Sequence, residues 1–325
     1  MKALVCNEFG STDELLIEAL DDPVPAPGEV LVDIRAAGIN FPDILVIGGQ
    51  YQVKTPPPFI PGNEAAGIVS AVGDGVTRTR VGDKVIAMLR GGAFAEKCAV
   101  TENLVFPLPD QLSFEQGAGF SITYCTSYHA LKQSANLKAG ETLLVLGAAG
   151  GVGTTAIEIG KAMGAHVIAA ASSDEKLEFA KSIGADHVIN YSATALNDAV
   201  KEITGGAGAD VVYDPVGGEQ AQLALRATAW HGRYLVIGFA SGEIPKFPAN
   251  MALLKEASIV GVWWGTWSAK NPREQARNVQ EMAEMIADGR LNPKVTETFK
   301  LEDFKAAFRS ISERKVMGKI VFTMA

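Results

Sequence analysis

Apolar and polar positions alternate in short bursts over the first third of this chain and gather into solid apolar runs in its middle. Up to about residue 124 the apolar stretches are brief and punctuated by glycine and proline. They predict strands at 29–36, 66–72, 84–88 and 95–100, after a strand at the very start. Turn signals such as Ala26-Pro27-Gly28, Pro61-Gly62-Asn63 and Val81-Gly82-Asp83 part them. That texture belongs to a small β-barrel. From about 125 to 265 strands alternate with helices. Strands are expected at 143–146, 165–171, 187–190, 210–213, 233–237 and 257–262, with helices near 152–163, 175–183, 195–203 and 218–228. Strands alternating with crossover helices make a doubly wound parallel sheet, an α/β fold. The tail, 266–325, predicts helices at 273–288 and 302–312 and a last strand at 319–322, and its texture returns the chain to the first domain. The expected division is therefore 1–124, 125–265 and 266–325.

The first strand of the middle region runs into glycines: Leu143-Leu144-Val145-Leu146-Gly147-Ala148-Ala149-Gly150-Gly151-Val152-Gly153. Strand, glycine turn and helix in that order place a pyrophosphate against exposed helix amides, so Gly150, Gly151, Val152 and Gly153 are candidate cofactor contacts. The spacing departs from the plain GxGxxG pattern, and the context carries the reading. The next strand ends at Ala171-Ser172-Ser173-Asp174-Glu175-Lys176. A ribose-reading acid is missing from its tip. Two hydroxyls and a lysine suit a 2′-phosphate, which a carboxylate there would repel. Ser172, Ser173 and Lys176 therefore point to NADPH, although the serines also have the makings of a helix cap.

Composition narrows the class. A net charge of −8 over 325 residues argues against a broad nucleic-acid surface, and 47% hydrophobic residues suffice for sizeable cores. No uninterrupted apolar stretch reaches the roughly eighteen residues of a membrane span, and the start lacks a signal peptide's apolar core. The three cysteines, Cys6, Cys98 and Cys125, are far apart, which disfavours a disulfide framework or a zinc lobe and fits a cytoplasmic protein.

Several marks then come together. They are Ala37-Gly38-Ile39-Asn40-Phe41-Pro42-Asp43, Pro61-Gly62-Asn63-Glu64-Ala65-Ala66-Gly67, Val81-Gly82-Asp83-Lys84-Val85, the turn at 148–153, Gly184-Ala185-Asp186-His187-Val188-Ile189-Asn190-Tyr191, and Val316-Met317-Gly318-Lys319-Ile320-Val321. In this order they resemble the zinc-independent quinone oxidoreductase branch, including zeta-crystallin, of the medium-chain dehydrogenase/reductase superfamily. The resemblance implies a Rossmann sheet plus a GroES-like β-barrel catalytic domain, with the nicotinamide in a cleft between them. In zinc-dependent relatives a cysteine falls where Asn40 stands and a histidine where Asn63 stands. Neither residue here is a usual zinc ligand, so no metal is expected.

The resemblance also suggests roles for individual residues. Asn40 would hold the nicotinamide ribose or a substrate carbonyl, since its amide offers both donor and acceptor; read without the family, it is a turn residue before Phe41-Pro42. Tyr51 would line the acceptor site or donate a proton, and is otherwise a loop aromatic. Some relatives carry a second tyrosine where this chain has Leu45. Thr126 would lie near the nicotinamide carboxamide. Tyr191 would meet the adenosine phosphate region. Gly238, Phe239 and Ala240, and then Val262, Trp263 and Trp264, would offer backbone near the nicotinamide. The tryptophans are equally candidates for packing, one near the cleft and one inside. His129 reads as structural, and Lys319 as holding the last strand rather than reaching a 2′-phosphate.

Together these features predict an NADPH-dependent, metal-free reductase of a quinone. Reduction of enals, enones or enoyl thioesters is the alternative, and a crystallin-like NADPH-binding structural or regulatory protein the rival from another class. The acidic balance disfavours the RNA binding of some relatives. The apolar edge at 259–264 suggests a homodimer with a continuous sheet.

Overall fold

The computed structural model describes residues 1–324 and divides into two compact units. The first comprises Met1–Ile122 and the tail from Pro293, and the second Thr123–Asn292. In chain order the first unit begins with β1 (Lys2–Val5), β2 (Leu16–Ala19), β3 (Glu29–Gly38), α1 (Phe41–Ile47), β4 (Glu64–Val72), β5 (Lys84–Met88), β6 (Lys97–Thr101), β7 (Val105–Pro107) and α2 (Phe114–Ala118). The second holds α3 (Ser121–His129, its first turn spanning the boundary), β8 (Thr142–Leu146), α4 (Gly151–Ala162), β9 (His166–Ala171), α5 (Asp174–Ile183), β10 (His187–Asn190), α6 (Leu196–Ile203), β11 (Ala209–Asp214), α7 (Gly218–Ala227), β12 (Thr228–Val236), α8 (Ala249–Lys255), β13 (Ser258–Gly261), α9 (Trp264–Lys270) and α10 (Pro272–Ala287). The tail returns with β14 (Val295–Lys300), α11 (Phe304–Ser312) and β15 (Lys319–Thr323).

In the second unit six parallel strands lie in the order β10-β9-β8-β11-β12-β13. This is the doubly wound arrangement that the alternating middle region predicts. Leu143, Leu144, Val145 and Leu146 are buried, because a parallel sheet carries helices on both faces and its central strands need apolar side chains on each. Helix α5 shows both of its terminal signals at work. Ser173 caps its start, and Gly184 ends it in the left-handed conformation at φ 119°.

The first unit holds a seven-stranded, mainly antiparallel sheet and the two-stranded pair β1–β2. Its organiser is β3, which is long and irregular. One side pairs β4 throughout, with register shifts between Leu31 and Val32 and between Ile34 and Ala36. The other side pairs β6 near its start and β15 near its end. Bulges of this kind bend a strand and let one element serve two neighbours. Phe94, Phe308 and Phe322 meet edge-on in the core, with ring centroids 5.0–6.2 Å apart.

The return to the first unit comes later than the expected residue 266. Helices α9 and α10 stay with the second unit, because α10 is bonded along the α3 segment and its π-helical continuation Ala130–Ser134. Tyr128 Oη donates to Glu281 at 2.6 Å, and Gln133 Nε2 to Asn278 Oδ1 at 3.0 Å. Lys132 pairs with Glu281. Gln275 accepts from the Trp264 indole at 2.9 Å and donates to Cys125 Sγ at 3.2 Å.

Candidate active site: two polar centres

The dinucleotide candidates gather on one edge of the second unit's sheet. Parallel strands share a carboxyl end, and there the chain leaves β8 for Gly150–Gly153, β9 for Ser172–Lys176, β10 for Tyr191, β12 for Gly238–Ala240 and β13 for Val262–Trp264. Helix α4 starts at Gly151, so its first amides have no carbonyl partner within the helix and face any anion placed before it. A Cβ at Gly153 would lie 2.3 Å from the Gly147 carbonyl oxygen, so only glycine lets the turn close this tightly against the helix. The geometry fits a pyrophosphate cradle. Ser127 steadies it from α3: its hydroxyl donates to Val152 O at 3.1 Å and shares bonds with Thr155 Oγ1 at 2.7 Å and Tyr213 Oη at 2.8 Å. The neighbouring Thr126 is the one residue between Thr123 and Leu131 that is not buried.

Beyond β9, Ser173 Oγ accepts from the Lys176 amide and caps α5, while Ser172 is exposed and Lys176 half-buried. The capping role is therefore realised, and it leaves Ser172 facing solvent. Two residues without a predicted site role, Asn190 and Ser192, shape this tip. Asn190 Nδ2 donates to Asp174 Oδ1 at 2.7 Å, and Ser192 Oγ to Ser172 O at 3.0 Å, while Tyr191 N reaches Ala171 O. The carboxylate nearest the tip is thereby engaged by a neighbouring loop.

Asp214, at the end of β11, was also not singled out. It is buried and its Oδ1 accepts from Val216 N at 2.7 Å and Gly217 N at 2.9 Å. Tyr234 donates to its other oxygen, and burial pushes the carboxyl's pKa up. The backbone carbonyl of Asp214 accepts from Ile237 N, which ties down the approach to Gly238–Ala240. An aspartate closing an apolar strand before Pro215-Val216-Gly217 is the signal that would have found it.

The two tryptophans separate. Strand β13 stops at Gly261, although Val262 N still bonds Val236 O. Trp263 is 51% exposed and Trp264 only 8%. Trp264 begins α9 and turns its indole inward to Gln275, so it is the packing residue. His129 stacks on Trp267 at 4.1 Å and bonds Gln133, consistent with its structural reading.

The second centre lies in the first unit, around Asn40. Asn40 caps α1, and Asp43 reaches back to accept from the Asn40 amide at 2.7 Å. Asp43 also accepts from Asn63 Nδ2 at 2.9 Å. Asn40 Nδ2 donates to Glu64 Oε1 at 2.8 Å, and Asn40 Oδ1 accepts from Lys319 Nζ at 2.6 Å. Lys319 Nζ pairs with Glu64 Oε1 at 2.7 Å and donates to Ile39 O at 2.8 Å. Glu64 Oε2 accepts from Ser121 Oγ at 2.9 Å and Ile122 N at 2.8 Å. Asn40, Asp43, Glu64 and Lys319 are all buried. Removing one partner of such an ion pair costs about 3–5 kcal/mol, because the other charge is stranded. Gly38 makes room for the pair, since a Cβ there would sit 2.4 Å from Glu64 Oε1.

Lys319 therefore does more than hold the last strand, and Asn40 is not free to present both ends of its amide. Tyr51 lies past the other end of α1, tied by its amide to Leu45 O at 3.1 Å. The two candidates thus lie at opposite ends of α1. Among the described residues no group of three His, Cys, Asp or Glu is placed to hold a metal ion. No helix among them is long and apolar enough to cross a membrane.

Comparison with known proteins matches these two units. Residues 26–110 match the alcohol dehydrogenase GroES-like domain, and residues 151–287 the zinc-binding dehydrogenase domain. The chain is 39% identical to the quinone oxidoreductase-like protein 2 homolog of Nematostella vectensis, over 98% of this chain and 88% of that one. The Escherichia coli quinone oxidoreductase complexed with NADPH superposes with a TM-score of 0.93 at 29% identity, covering 100% of both chains. The CurK enoyl reductase does so with 0.90 at 28%, covering 100% of this chain and 99% of that one. With both domain families in order, relatives alike from end to end, a Rossmann sheet in one unit and a GroES-like domain in the other, the chain belongs to the quinone oxidoreductase branch of the medium-chain dehydrogenase/reductase superfamily.

Proposed function

We propose that the protein is an NADPH-dependent oxidoreductase that reduces a quinone and needs no metal ion. The observation that carries the reading is the cradle at the end of β8, where Gly153 sits too close to Gly147 O for any side chain and the first amides of α4 face outward. Ser172 and Lys176 supply a donor and a cation for a 2′-phosphate, and the tether from Asn190 engages the nearby Asp174 carboxylate. The relative from Escherichia coli, solved with NADPH, supports the same cofactor. Metal independence is supported by the first unit. Asn40 and Asn63 are committed to Glu64, Lys319 and Asp43, and the positive charge at that centre is the Lys319 ammonium.

When bound, NADPH supplies a hydride, which with one proton converts a quinone to a hydroquinone and leaves NADP⁺. The chain's own work is to bind and orient. The α4 amides hold the pyrophosphate, and Tyr191 flanks the adenosine side. Thr126 and the backbones of 238–240 and 262–264 orient the nicotinamide. Asn40 offers a hydrogen bond to an oxygen, and Tyr51 or solvent provides the proton. The protein acts as a cytoplasmic homodimer.

A second reading, reduction of a conjugated carbon–carbon double bond, is favoured by the similarity to an enoyl reductase. One panel separates the two. NADPH oxidation is followed with 1,4-benzoquinone, 9,10-phenanthrenequinone, 1-octen-3-one and crotonyl-CoA. Turnover with the quinones is expected to exceed turnover with the alkenes. Faster alkene reduction selects the second reading, and a protein that binds neither NADPH nor NADH in a fluorescence titration sinks both.

A further inference from the structure

We infer that Lys319 and Glu64 are positioning residues that set the polarity of Asn40, so that its carboxamide turns an N–H donor toward an oxygen of the ligand. The inference rests on the proposed reaction for its consequence and on the buried centre of the first unit for its geometry.

A carboxamide can turn end for end at little cost in shape, so its polarity must be imposed from outside. Here two charges impose it. The ammonium of Lys319 has only donors to give, and it faces Asn40 Oδ1 at 2.6 Å. Glu64 Oε1 accepts from Asn40 Nδ2 at 2.8 Å. Turning the amide over would set NH₂ against NH₃⁺ and a carbonyl oxygen against a carboxylate, with both pairs buried. That arrangement is strongly disfavoured where water cannot screen it.

Most donors and acceptors of the centre are already matched. Lys319 Nζ donates to Ile39 O at 2.8 Å and to Asn40 Oδ1 at 2.6 Å, and it pairs with Glu64 Oε1 at 2.7 Å. The second oxygen of Glu64 takes Ser121 Oγ and Ile122 N. Asp43 takes the Asn40 backbone amide and Asn63. Asn40 Oδ1 is committed to the ammonium and one Nδ2 hydrogen to Glu64. The other has only Gly38 O, at a long 3.4 Å. Between the two charges, Asn40 thus keeps one loosely held hydrogen, and its natural partner is a hydroxyl or carbonyl oxygen.

Three chain segments distant in sequence build this device: the N-cap of α1, the start of β4 and the start of β15. The ligand oxygen has two possible sources, a ribose hydroxyl of the dinucleotide or the carbonyl of the acceptor, and the experiment tells them apart.

The test uses the full-length protein, with NADPH affinity from nucleotide fluorescence and kcat and KM with 9,10-phenanthrenequinone. Asn40→Ala, Lys319→Met, their double variant and Lys319→Arg are compared at a temperature where all are folded by circular dichroism. Each of the first two is expected to lose roughly tenfold, the worth of one such hydrogen bond. The double variant is expected to lose no more than the worse single one, because Lys319 acts through Asn40. Lys319→Arg keeps the cation and should recover most of the loss. A fall in NADPH affinity places the ligand oxygen on the dinucleotide, and a fall confined to the quinone's kcat/KM places it on the acceptor. A merely structural lysine lowers thermal stability yet leaves affinity and kcat/KM within about twofold in the folded variant, and that result overturns the inference. If Lys319→Met does not fold, Asn40→Asp serves instead, since it keeps the helix cap and the size but has no N–H; a loss of under about twofold there overturns it equally. A wild type that binds NADPH and turns over, with unaffected variants, removes the positioning role alone. A wild type that does neither removes the functional reading, and this inference with it.

Discussion

Asp43 is 1% exposed, and the hydrogen bonds to its carboxylate come from two neutral donors, the Asn40 amide and the Asn63 carboxamide. Burial dominates, the charge of Glu64 adds to it, and the nearby Lys319 offsets only part, so the pKa rises from 3.8 to about 7. Between those values the unfolded chain has released a proton that the folded chain keeps. Asp43 therefore contributes stability that is complete below about pH 4 and lost as pH rises through about 7. The expected outcome is that the unfolding free energy of the wild type, relative to Asp43→Asn, drops between about pH 4.5 and about pH 7.5 in urea titrations. A constant difference contradicts it. The second prediction at this scale concerns Lys176, half-buried in the first turn of α5. Lys176→Glu is expected to weaken NADPH much more than NADH in parallel fluorescence titrations, because only the former carries the 2′-phosphate. Equal losses would place selectivity elsewhere. The sequence made the phosphate-site candidates visible because glycines, serines and a lysine at a strand end have few other uses. It left the Asn190–Asp174 tether hidden, since that bond joins two different loops.

Helix α10 shows how an element can be legible and its destination not. Its apolar and polar periodicity predicts a helix at 273–288, and the helix runs Pro272–Ala287. Gln275, Asn278, Met282 and Ile286 are its buried face. Two of these four are amides, which hydropathy marks as surface; here they serve Trp264, Cys125, Lys132 and Gln133. That polar seam holds the helix in the second unit. Gln275→Leu preserves the volume but strands the buried Trp264 N–H, which costs about 1–3 kcal/mol. The expected outcome is a thermal midpoint lowered by about 2–8 °C in a calorimetric scan, with the fold retained. An unchanged midpoint would show that the seam carries no net stability. Helix α9 escaped the sequence reading for a related reason. It is one short helix starting at a tryptophan, without a side-chain cap bond, and its lodging comes from the Trp264–Gln275 bond and the Trp267–His129 stack. The six parallel strands, by contrast, were readable from their apolar runs.

For the whole molecule, β13 is the outer strand of the six-stranded sheet, and among the described residues only β12 pairs with it. Ile259 on it is 39% exposed, and Leu253 and Leu254 of α8 are 76% and 66% exposed. An apolar strand edge, in a unit that also exposes leucines, invites pairing with another copy. The expected outcome is a dimer in sedimentation velocity at micromolar concentration, converted toward monomer by Ile259→Lys. A wild type that sediments as a monomer contradicts this. The sequence by itself determined the two textures, the six-strand alternation and the glycine turn, because these rest on local patterns of side-chain size and polarity. It also carried the family marks. Only the tertiary structure decided that α10 stays with the second unit, that Trp264 turns inward while Trp263 is exposed, and that Lys319 meets Asn40 and Glu64. Those outcomes depend on which charges and amides are buried together across 24 and 279 positions of sequence. No local pattern encodes such pairings, since the cost of leaving a buried polar group unmatched is felt only once the chain has closed around it.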